Sequence, residues 1–544
     1  MDPVFSDPAD PLTLELSMIS LLSPIGRRLS FCSSLLSLVA LASLGGCKGG
    51  ILAFPGSPNE SLSGPSLYSV SGVAMDGPIS GGSVAVAQYQ SDGSLVPLGT
   101  VTTGRDGSFQ ITSLFDLSGG PVSFTLTGGT NIDIASGATI TTPTGVSLTA
   151  LIPASDLTHT VVVLTPFSSL EATEAQTLAS QGSSMGQALS QARTDWNGFL
   201  GFDPAEVPPA NMAAGPASAN ASGIYGLLLA GLSQFTYHIG QTQNLAPGTT
   251  NPLGLLPLLE EDLGDGVFNG LAPGNPTPLT YYGYTLSGET LRQEVTAEAL
   301  VFLWTGQNQS GLTPQTTDGI LNGVAMNTGP LFPPSPSPVP PDPGTPQVTI
   351  SSPTSATFVN KTISVAASAT DSLGIATLVV TGNGIVLPGG ELTGNPVLAE
   401  IDTTKSPSGP ASLSATATDY AGNTQTTTTL FTIDNVPPTI TNLSPANGGL
   451  YSPGCTGNPT TVTVTGTLQD NLSGPSGVQV QETAPSTTSI STTYSSVSST
   501  TGNFSFTFIA PANSCKTANY AFTINGFDKV TNETVLNYTL GVTN

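Results

Sequence analysis

The sequence predicts a multidomain, mainly β protein that contains one α-helical module. Gly and Pro supply 62 and 46 of its 544 residues, and both are disfavoured inside helices. In the N-terminal half, short runs of β-type residues are separated by Asp-Gly turns. In the C-terminal third, several motifs occur twice in the same order. Together these features favour a series of small β-sandwich domains over a single helical enzyme.

The charge balance restricts the partners and cofactors that the chain can have. It has 10 Lys and Arg residues against 35 Asp and Glu residues, for a formal net charge of −25. Nucleic-acid binding requires clustered cations, so no nucleic acid is expected as a partner. Two His and four Cys residues are too few for a zinc or haem centre. We therefore expect no cofactor, with Ca²⁺ as the one alternative considered below.

Residues 1–46 have the features of an export signal. Arg27 and Arg28 precede an apolar run that is punctuated by Ser, and small residues then lead to Cys47. The run is short for a membrane span, which needs about 20 apolar residues, but an uncleaved anchor is the alternative. The segment before Met18 is acidic and contains Pro, unlike the start of a signal, so we expect translation to begin at Met18.

The end of this segment, LGGC at 44–47, resembles the lipobox of bacterial lipoproteins. The resemblance implies that Cys47 is diacylated and becomes the N-terminus of an exported protein anchored to a membrane. Lys48 follows the cysteine, where inner-membrane lipoproteins commonly carry Asp, which implies the outer membrane or the cell surface. Residues 47–66 are rich in Gly, Pro and Ser and are expected to form a flexible tether.

Residues 67–150 are predicted to form a small β-sandwich. The motifs GVAMDGPISGGSVAV at 72–86 and TTGRDGSF at 102–109 resemble the carboxypeptidase regulatory-like domain. The resemblance implies a transthyretin-like fold of seven strands. Domains of this family are non-catalytic spacers, so no site residue is implied.

Residues 151–329 are predicted to form a helical module, because apolar residues recur there at intervals of three and four. Residues 330–346 then form a Pro-rich linker that is expected to be an extended, semi-rigid spacer. The predicted helices cover residues 167–178, 185–199, 219–237, 255–263 and 288–303.

The remainder of the chain contains an internal repeat, which predicts two β-sandwiches at 347–436 and 437–544. PQVTISSP at 346–353 parallels PTITNLSP at 438–445, and ATDYAGN at 417–423 parallels GFDKVTN at 526–532. Alternating Thr and Val runs lie between these motifs, as in half-buried antiparallel strands. Both copies resemble bacterial Ig-like domains, which implies the Ig-like sandwich fold.

Cys455 and Cys515 are predicted to form a disulfide. They are the two cysteines that follow Cys47, and an exported chain has left the reducing cytosol. A free, buried thiol pair is the alternative.

One motif has the pattern of a hydrolase site. Ser184 lies in a G-x-S-x-G sequence, and His238 lies downstream with Asp195 and Asp203 between them, which is the chain order of an α/β-hydrolase triad. A nucleophile elbow requires a buried strand before the serine, whereas the residues before Ser184 have a helical pattern. The sequence therefore predicts that the protein is not an enzyme.

Two sets of acidic residues are candidate Ca²⁺ ligands, because Ca²⁺ prefers oxygen ligands. One set is Asp262, Asp265 and Asn269, beside Glu260 and Glu261, although Ala272 stands where an EF-hand would need Glu. A polar helix end with Gly266 or Gly270 as its cap is the favoured alternative. The other set takes two residues from each repeat and would bind Ca²⁺ between the domains. The favoured alternative is that these Asp side chains cap turns of their own backbone without a metal. The members of this set are Asp371, Asp419, Asp470 and Asp528.

These expectations combine into one view of the protein. It is expected to be a lipid-anchored protein of the bacterial envelope or cell surface whose Ig-like modules have an adhesive or structural role. Its partners would be the membrane and an extracellular protein, polysaccharide or mineral surface. The alternatives are an envelope enzyme or accessory protein with a site in residues 151–329, and a self-assembling structural subunit.

Overall fold

The computed structural model describes residues 66–333, 342, 344–455, 457–485 and 489–544. These residues belong to one unit, Ser63–Asn544, and they confirm the predicted mainly β, multidomain class. The predicted signal, Cys47, the tether up to residue 65 and most of the Pro-rich linker lie outside the described residues. Of the helices in the described part of the chain, none combines the length and apolarity needed to cross a bilayer.

The first domain is a β-sandwich of two sheets with strand orders β4-β1-β9 and β3-β2-β5-β8. A separate hairpin, β6-β7, extends from it. Gly77, Gly93 and Gly107 have positive φ angles in the predicted Asp-Gly turns. The strands are β1 (Ser66–Ala74), β2 (Ser83–Tyr89), β3 (Leu95–Thr102), β4 (Ser108–Phe115), β5 (Val122–Thr127), β6 (Thr130–Ile132), β7 (Thr139–Thr141), β8 (Ser147–Ile152) and β9 (Val162–Leu164).

The boundary predicted after residue 150 falls inside this sandwich. Strand β8 crosses it, and β9 pairs in parallel with β1 beyond it. The three residues of β9 are all buried. A strand this short gives no alternation along the sequence, so its place in the sheet depends on burial by the rest of the domain.

Six α-helices follow in residues 166–325, which the structure describes in full, and five of them overlap the predicted ones. Thr165 and Ser184 accept hydrogen bonds from backbone N–H groups at the starts of the first two, as N-cap residues do. A π-helical turn, Thr290–Glu294, leads into the fifth helix, and the sixth was not predicted. The helices are α1 (Pro166–Ser180), α2 (Met185–Leu200), α3 (Ala221–Thr242), α4 (Pro252–Asp262), α5 (Val295–Phe302) and α6 (Pro314–Ala325). A two-stranded hairpin, β10 (Thr280–Tyr281) and β11 (Tyr284–Thr285), lies between α4 and α5.

The β-domain and the helical module share one apolar core, which also includes the first residues of the predicted linker. Leu331 and Phe332 are only 1% and 4% exposed, and the Phe332 ring centroid lies 4.8 Å from that of Phe199. These two large apolar side chains, which lie inside the predicted linker, therefore complete the helical core.

The first Ig-like sandwich has sheets β12-β14-β17 and β13-β19-β18-β15-β16. Its inward-facing residues alternate with exposed ones, as the sequence predicts. The strands are β12 (Gln347–Ser352), β13 (Phe358–Val359), β14 (Thr362–Thr370), β15 (Ile375–Asn383), β16 (Glu391–Thr393), β17 (Val397–Asp402), β18 (Gly409–Asp419) and β19 (Thr424–Ile433).

The second Ig-like sandwich repeats this order in sheets β20-β22-β25-β24 and β21-β27-β26-β23. It differs at one strand: β16 pairs with β15, whereas its counterpart β24 pairs with β25. The strands are β20 (Thr439–Ser444), β21 (Gly449–Tyr451), β22 (Thr460–Gln469), β23 (Pro475–Ala484), β24 (Ser491–Ser496), β25 (Thr501–Ala510), β26 (Thr517–Asp528) and β27 (Glu533–Thr543).

Candidate metal centres

Each Ig-like sandwich gathers three carboxylates at the end where the chain enters it. In the first, Asp371 follows β14 and Asp419 ends β18. Asp342, from the segment before β12, is the third member, and the three offer carboxylate oxygens within 4.8 Å of one another. We call this group the first centre.

The second centre consists of Asp434, Asp470 and Asp528, at the corresponding places of the second sandwich. Asp434 lies between β19 and β20, Asp470 follows β22, and Asp528 ends β26. The structure thus brings Asp371 close to Asp419 and Asp470 close to Asp528, the four residues singled out in the repeats, and it adds Asp342 and Asp434. The repeat contained a signal for these two, because each stands four residues before an aligned proline, Pro346 and Pro438.

In the first centre, one oxygen of each carboxylate accepts hydrogen bonds from the chain around it. Asp371 Oδ1 accepts from the Leu373 N–H at 2.9 Å, and Asp419 Oδ1 accepts from the Asn423 N–H at 2.8 Å. Asp342 Oδ1 accepts from the Gly344 N–H at 3.2 Å. These bonds orient the three carboxylates from short turns, as in the predicted alternative of Asp-capped turns.

The other oxygens of the first centre are not satisfied in this way. Asp419 is fully buried, and the buried Oδ2 atoms of Asp419 and Asp342 accept no hydrogen bond from the described residues. Burial raises the pKa of Asp342 to about 6, together with the charges of Asp371 and Asp419 and a hydrogen bond that the protonated Asp342 carboxyl group forms with the Asp419 side chain. Capping of turns does not account for these atoms, since a buried acceptor without a partner costs free energy.

The second centre is more deeply buried. Asp434, Asp470 and Asp528 are 0%, 5% and 1% exposed. Asp470 Oδ2 accepts from the Gly474 N–H at 2.5 Å, while the buried Asp470 Oδ1 accepts no hydrogen bond from the described residues. Burial and the charge of Asp434 raise the pKa of Asp528. The second centre therefore repeats the placement of the three carboxylates but not their hydrogen bonding. Its unpartnered oxygen is on Asp470, the counterpart of Asp371, whereas both oxygens of Asp434 and of Asp528 accept hydrogen bonds.

Asn532 connects the second centre to the preceding sandwich. Its Nδ2 donates to Asp528 Oδ2 and to the backbone oxygen of Asp434, both at 2.7 Å. Its Oδ1 accepts from Asn360 Nδ2 at 2.9 Å. The second centre thus lies at the contact between the two Ig-like sandwiches.

The chemistry of both centres matches a hard divalent cation. Two oxygens bound to the same Ca²⁺ at 2.3–2.6 Å can be at most about 5 Å apart, which agrees with the spacing within 4.8 Å. Three ionised carboxylates held this close repel one another, and a divalent cation would remove most of that repulsion. Mg²⁺ fits less well, because it demands near-ideal octahedral geometry and keeps several waters.

The other predicted acidic set has a different arrangement. Asp262 Oδ1 accepts from the backbone N–H groups of Asn269, Gly270 and Leu271, at 2.9, 2.8 and 3.2 Å, and Asn269 Nδ2 donates to Asp265 Oδ2. Among the described residues, the groups of three close carboxylates are the two centres above, and neither includes Asp262 or Asp265. The bonds around Asp262 close a loop after α4, which agrees with the polar helix end weighed above.

The residues of the hydrolase motif are occupied in other contacts. Ser184 is the N-cap of α2, and its Oγ donates to Gln187 Oε1 at 2.9 Å. His238 Nδ1 lies 2.6 Å from Glu298 Oε1, and this hydrogen bond raises the pKa of His238. The strand that a nucleophile elbow requires before the serine is replaced by α1.

Ser184 lines a groove of about 1690 Å³ between α2 and loops of the β-domain. Arg193 lies in this groove and forms ion pairs with Asp156 at 2.9 Å and Asp203 at 2.6 Å. Burial raises the pKa of Glu174 to about 8, but Glu174 is not among the residues that line the groove.

Cys455 and Cys515 are joined by a disulfide, with their Cα atoms 5.3 Å apart. Cys455 lies before β22 and Cys515 lies between β25 and β26. The bond therefore links two loops of the second sandwich. It is separate from the second centre, whose residues lie between β19 and β20, directly after β22 and at the end of β26.

Comparison with known proteins yields structural likenesses only. No protein-family model and no curated protein matches the chain. The fibronectin(III)-like modules of Clostridium thermocellum CbhA are similar at 14% identity, covering 36% of this chain and 93% of theirs, with a TM-score of 0.20. The C-terminal domain of the Streptococcus pyogenes antigen I/II-family protein AspA is similar at 11% identity, covering 36% of this chain and 98% of its own length, with a TM-score of 0.20. Domains 4 and 5 of the S-layer protein SbsC are similar at 13% identity, covering 37% of this chain and 98% of their own length, with a TM-score of 0.18. Likenesses at these TM-scores carry no argument about the function of this chain.

Proposed function

We propose that the chain is a non-catalytic protein of the bacterial envelope whose Ig-like sandwiches are held in place by Ca²⁺ at their entry points. The observation that carries this proposal is the repetition of one arrangement. Both sandwiches place a carboxylate from the entering segment beside carboxylates from the same two loops. Each centre also has a buried carboxylate oxygen that accepts no hydrogen bond from the described residues.

Calcium would act at these positions as a structural ligand. It would bind the folded arrangement and not the unfolded chain, in which the three carboxylates are far apart, so it would stabilise the fold by mass action. Extracellular calcium modules work with dissociation constants of about 10⁻⁴–10⁻³ M. Such sites would be filled outside a cell and would fix the orientation of each sandwich relative to the segment before it.

Anchoring by lipid at Cys47 completes the proposal. It rests on the sequence pattern of residues 27–47 and on the charge of the residue after the cysteine. Export also agrees with a disulfide in the second sandwich. In a bacterial host that processes lipoproteins, the full chain is expected in the membrane fraction and labelled by palmitate. Cys47→Ala should abolish the label and release the protein, and continued labelling of this variant would contradict the anchor.

The surface of the sandwiches supports an adhesive or structural role. On the pair β18 and β19, the hydroxyl oxygens of Thr416 and Thr426 lie 2.9 Å apart, as do those of Ser414 and Thr428. Such neutral hydroxyl rows can bind polysaccharide, mineral or extracellular protein without a charged patch. Self-assembly through sheet edges is the alternative use of the same modules.

The calcium proposal is tested by thermal unfolding of the full chain in excess Ca²⁺ and in excess chelator. A hundredfold excess over the dissociation constant stabilises by about 2.7 kcal/mol per site, so we expect a melting temperature several degrees higher with Ca²⁺. Asp419→Asn and Asp470→Asn should each remove part of this difference.

Asp402→Asn is the matched control, because Asp402 is an acid of the first sandwich that caps a turn outside both centres. It should keep the whole calcium effect. Equal melting temperatures for the unaltered chain in Ca²⁺ and in chelator would overturn the calcium proposal.

A further inference from the structure

The loops that form the first centre also contact the helical module. Leu373, two residues after Asp371, and Ala421, two residues after Asp419, pack against the core shared by the helices and the first β-domain. Trp304, two residues after the end of α5, donates from Nε1 to the backbone oxygen of Tyr420 at 3.0 Å. Both carboxylate-bearing loops of the first centre therefore take part in this contact.

The loop after Asp419 is also fitted closely to α6. A Cβ atom on Gly422 would lie 2.5 Å from Gln315 Nε2 and 3.2 Å from Pro314 Cβ. The φ angle of Gly422 is 86°, a conformation that favours glycine. A shift of this loop would consequently disturb its packing on the start of α6.

The second centre has the same relation to the module that precedes it. There Asn532, in the loop after Asp528, bonds to Asn360 of the first sandwich. Lys361 Nζ lies 3.5 Å from the backbone oxygen of Thr531 in the same loop. At both centres, the loop after the last strand-ending Asp contacts the preceding module while that Asp faces the other carboxylates.

We propose that Ca²⁺ at the first centre stabilises the docking of the helical module on the first Ig-like sandwich. This inference rests on the proposed function, since it assigns a regulatory consequence to one of the same centres. Without a cation, the charges of Asp342, Asp371 and Asp419 push the two loops and the entering segment apart. With the cation bound, both loops are held in the positions that Trp304 and α6 contact. Calcium binding and docking then favour each other, because such coupling is reciprocal.

The fluorescence of Trp304 reports this docking directly. The chain has two Trp residues, of which Trp196 is fully buried and Trp304 is 39% exposed. The experiment uses the full chain with Asp470→Asn, so that the first centre is the intact one. Addition of Ca²⁺ after chelator treatment should shift the emission to shorter wavelength, with the same midpoint as Ca²⁺ binding measured by calorimetry.

Two variants in the same background assign the signal. Trp304→Phe should bind Ca²⁺ but lose the spectral shift, whereas Asp419→Asn should lose both. Asp402→Asn should keep both. Circular dichroism in chelator checks that each variant is folded before the titration.

Reciprocity supplies the second readout. Trp304→Ala and Gln315→Ala remove docking contacts without touching a carboxylate, and each should weaken Ca²⁺ binding at the first centre by about fivefold or more. If Ca²⁺ binds but neither the emission nor the affinity of these variants changes, the inference is overturned while the proposed function stands. If no Ca²⁺ binds at all, the proposed function itself fails.

Discussion

At the scale of single residues, Glu174 shows how the helical module tolerates a buried acid. It lies on α1 and is 4% exposed. Burial, with the charge of Asp195 on α2 as the next cause, raises the pKa of Glu174 from 4.5 to about 8. The side chain is therefore protonated in the folded protein at neutral pH.

This pKa predicts a pH-dependent effect of Glu174→Gln. The folded state holds the proton more tightly than the unfolded chain, so the stability from this proton is complete below pH about 4.5 and is lost as pH rises through about 8. One pKa unit corresponds to about 1.4 kcal/mol. The variant should therefore be more stable than the unaltered chain at pH 9, by at least about 1 kcal/mol, and equal to it at pH 4.

Urea unfolding followed by tryptophan fluorescence measures this difference, because both tryptophans lie in the helical module. Glu391→Gln is the control, since Glu391 is exposed on β16 and should give no difference at either pH. A Glu174→Gln effect of the same size at pH 4 and pH 9 would show that the raised pKa does not govern the stability.

Of the six carboxylates in the two centres, the sequence singled out four as candidate ligands and did not point to the other two. Asp371 and Asp470 stand in the paired motifs TDSLG at 370–374 and QDNLS at 469–473, and Asp419 and Asp528 stand in the paired motifs at 417–423 and 526–532, so their equivalence is visible in the sequence. Asp342 and Asp434 stand in Pro-rich segments outside the strands, where side chains do not alternate regularly between two faces and their directions cannot be predicted from the sequence. The aligned prolines indicate that these two positions correspond. The path by which the chain enters each sandwich brings their carboxylates to the loops that carry the other two acids, and this path is not visible in the sequence.

At the scale of elements, helices with a long apolar face were predicted and shorter elements were not. Helix α3, with 16 buried residues, has an evident helical pattern. Helix α6 has 12 residues and five buried ones, and its start is set by Thr313 and Pro314, which also occur in turns. Strand β9 has three residues, too few to show a period. Elements of this length acquire their structure from the surfaces that they complete.

The end of the helical module illustrates the same dependence on packing. A run of prolines predicts a spacer, yet Leu331 and Phe332 precede it and belong to the core. Phe332 packs on Phe199, and the guanidinium carbon of the fully buried Arg292 lies 5.0 Å from its ring centroid. The overall composition of the segment is that of a spacer, although two of its residues, Leu331 and Phe332, are buried in the core.

At the scale of the whole molecule, the low charge content and the carboxylate centres are complementary features. Only 8% of the residues are charged, so few ion pairs are available to hold one module against the next. The two centres concentrate six of the acids at the entries of the sandwiches. A cation at each would add electrostatic attraction at the entries of the two sandwiches.

The most direct test of this account is the number of Ca²⁺ ions that the chelator-treated full chain binds, measured by isothermal titration calorimetry. We expect two ions per chain, one ion for Asp419→Asn or Asp470→Asn, and none for the double variant. Asp402→Asn should still bind two. Absence of binding at millimolar Ca²⁺, or binding that the double variant retains in full, would contradict it.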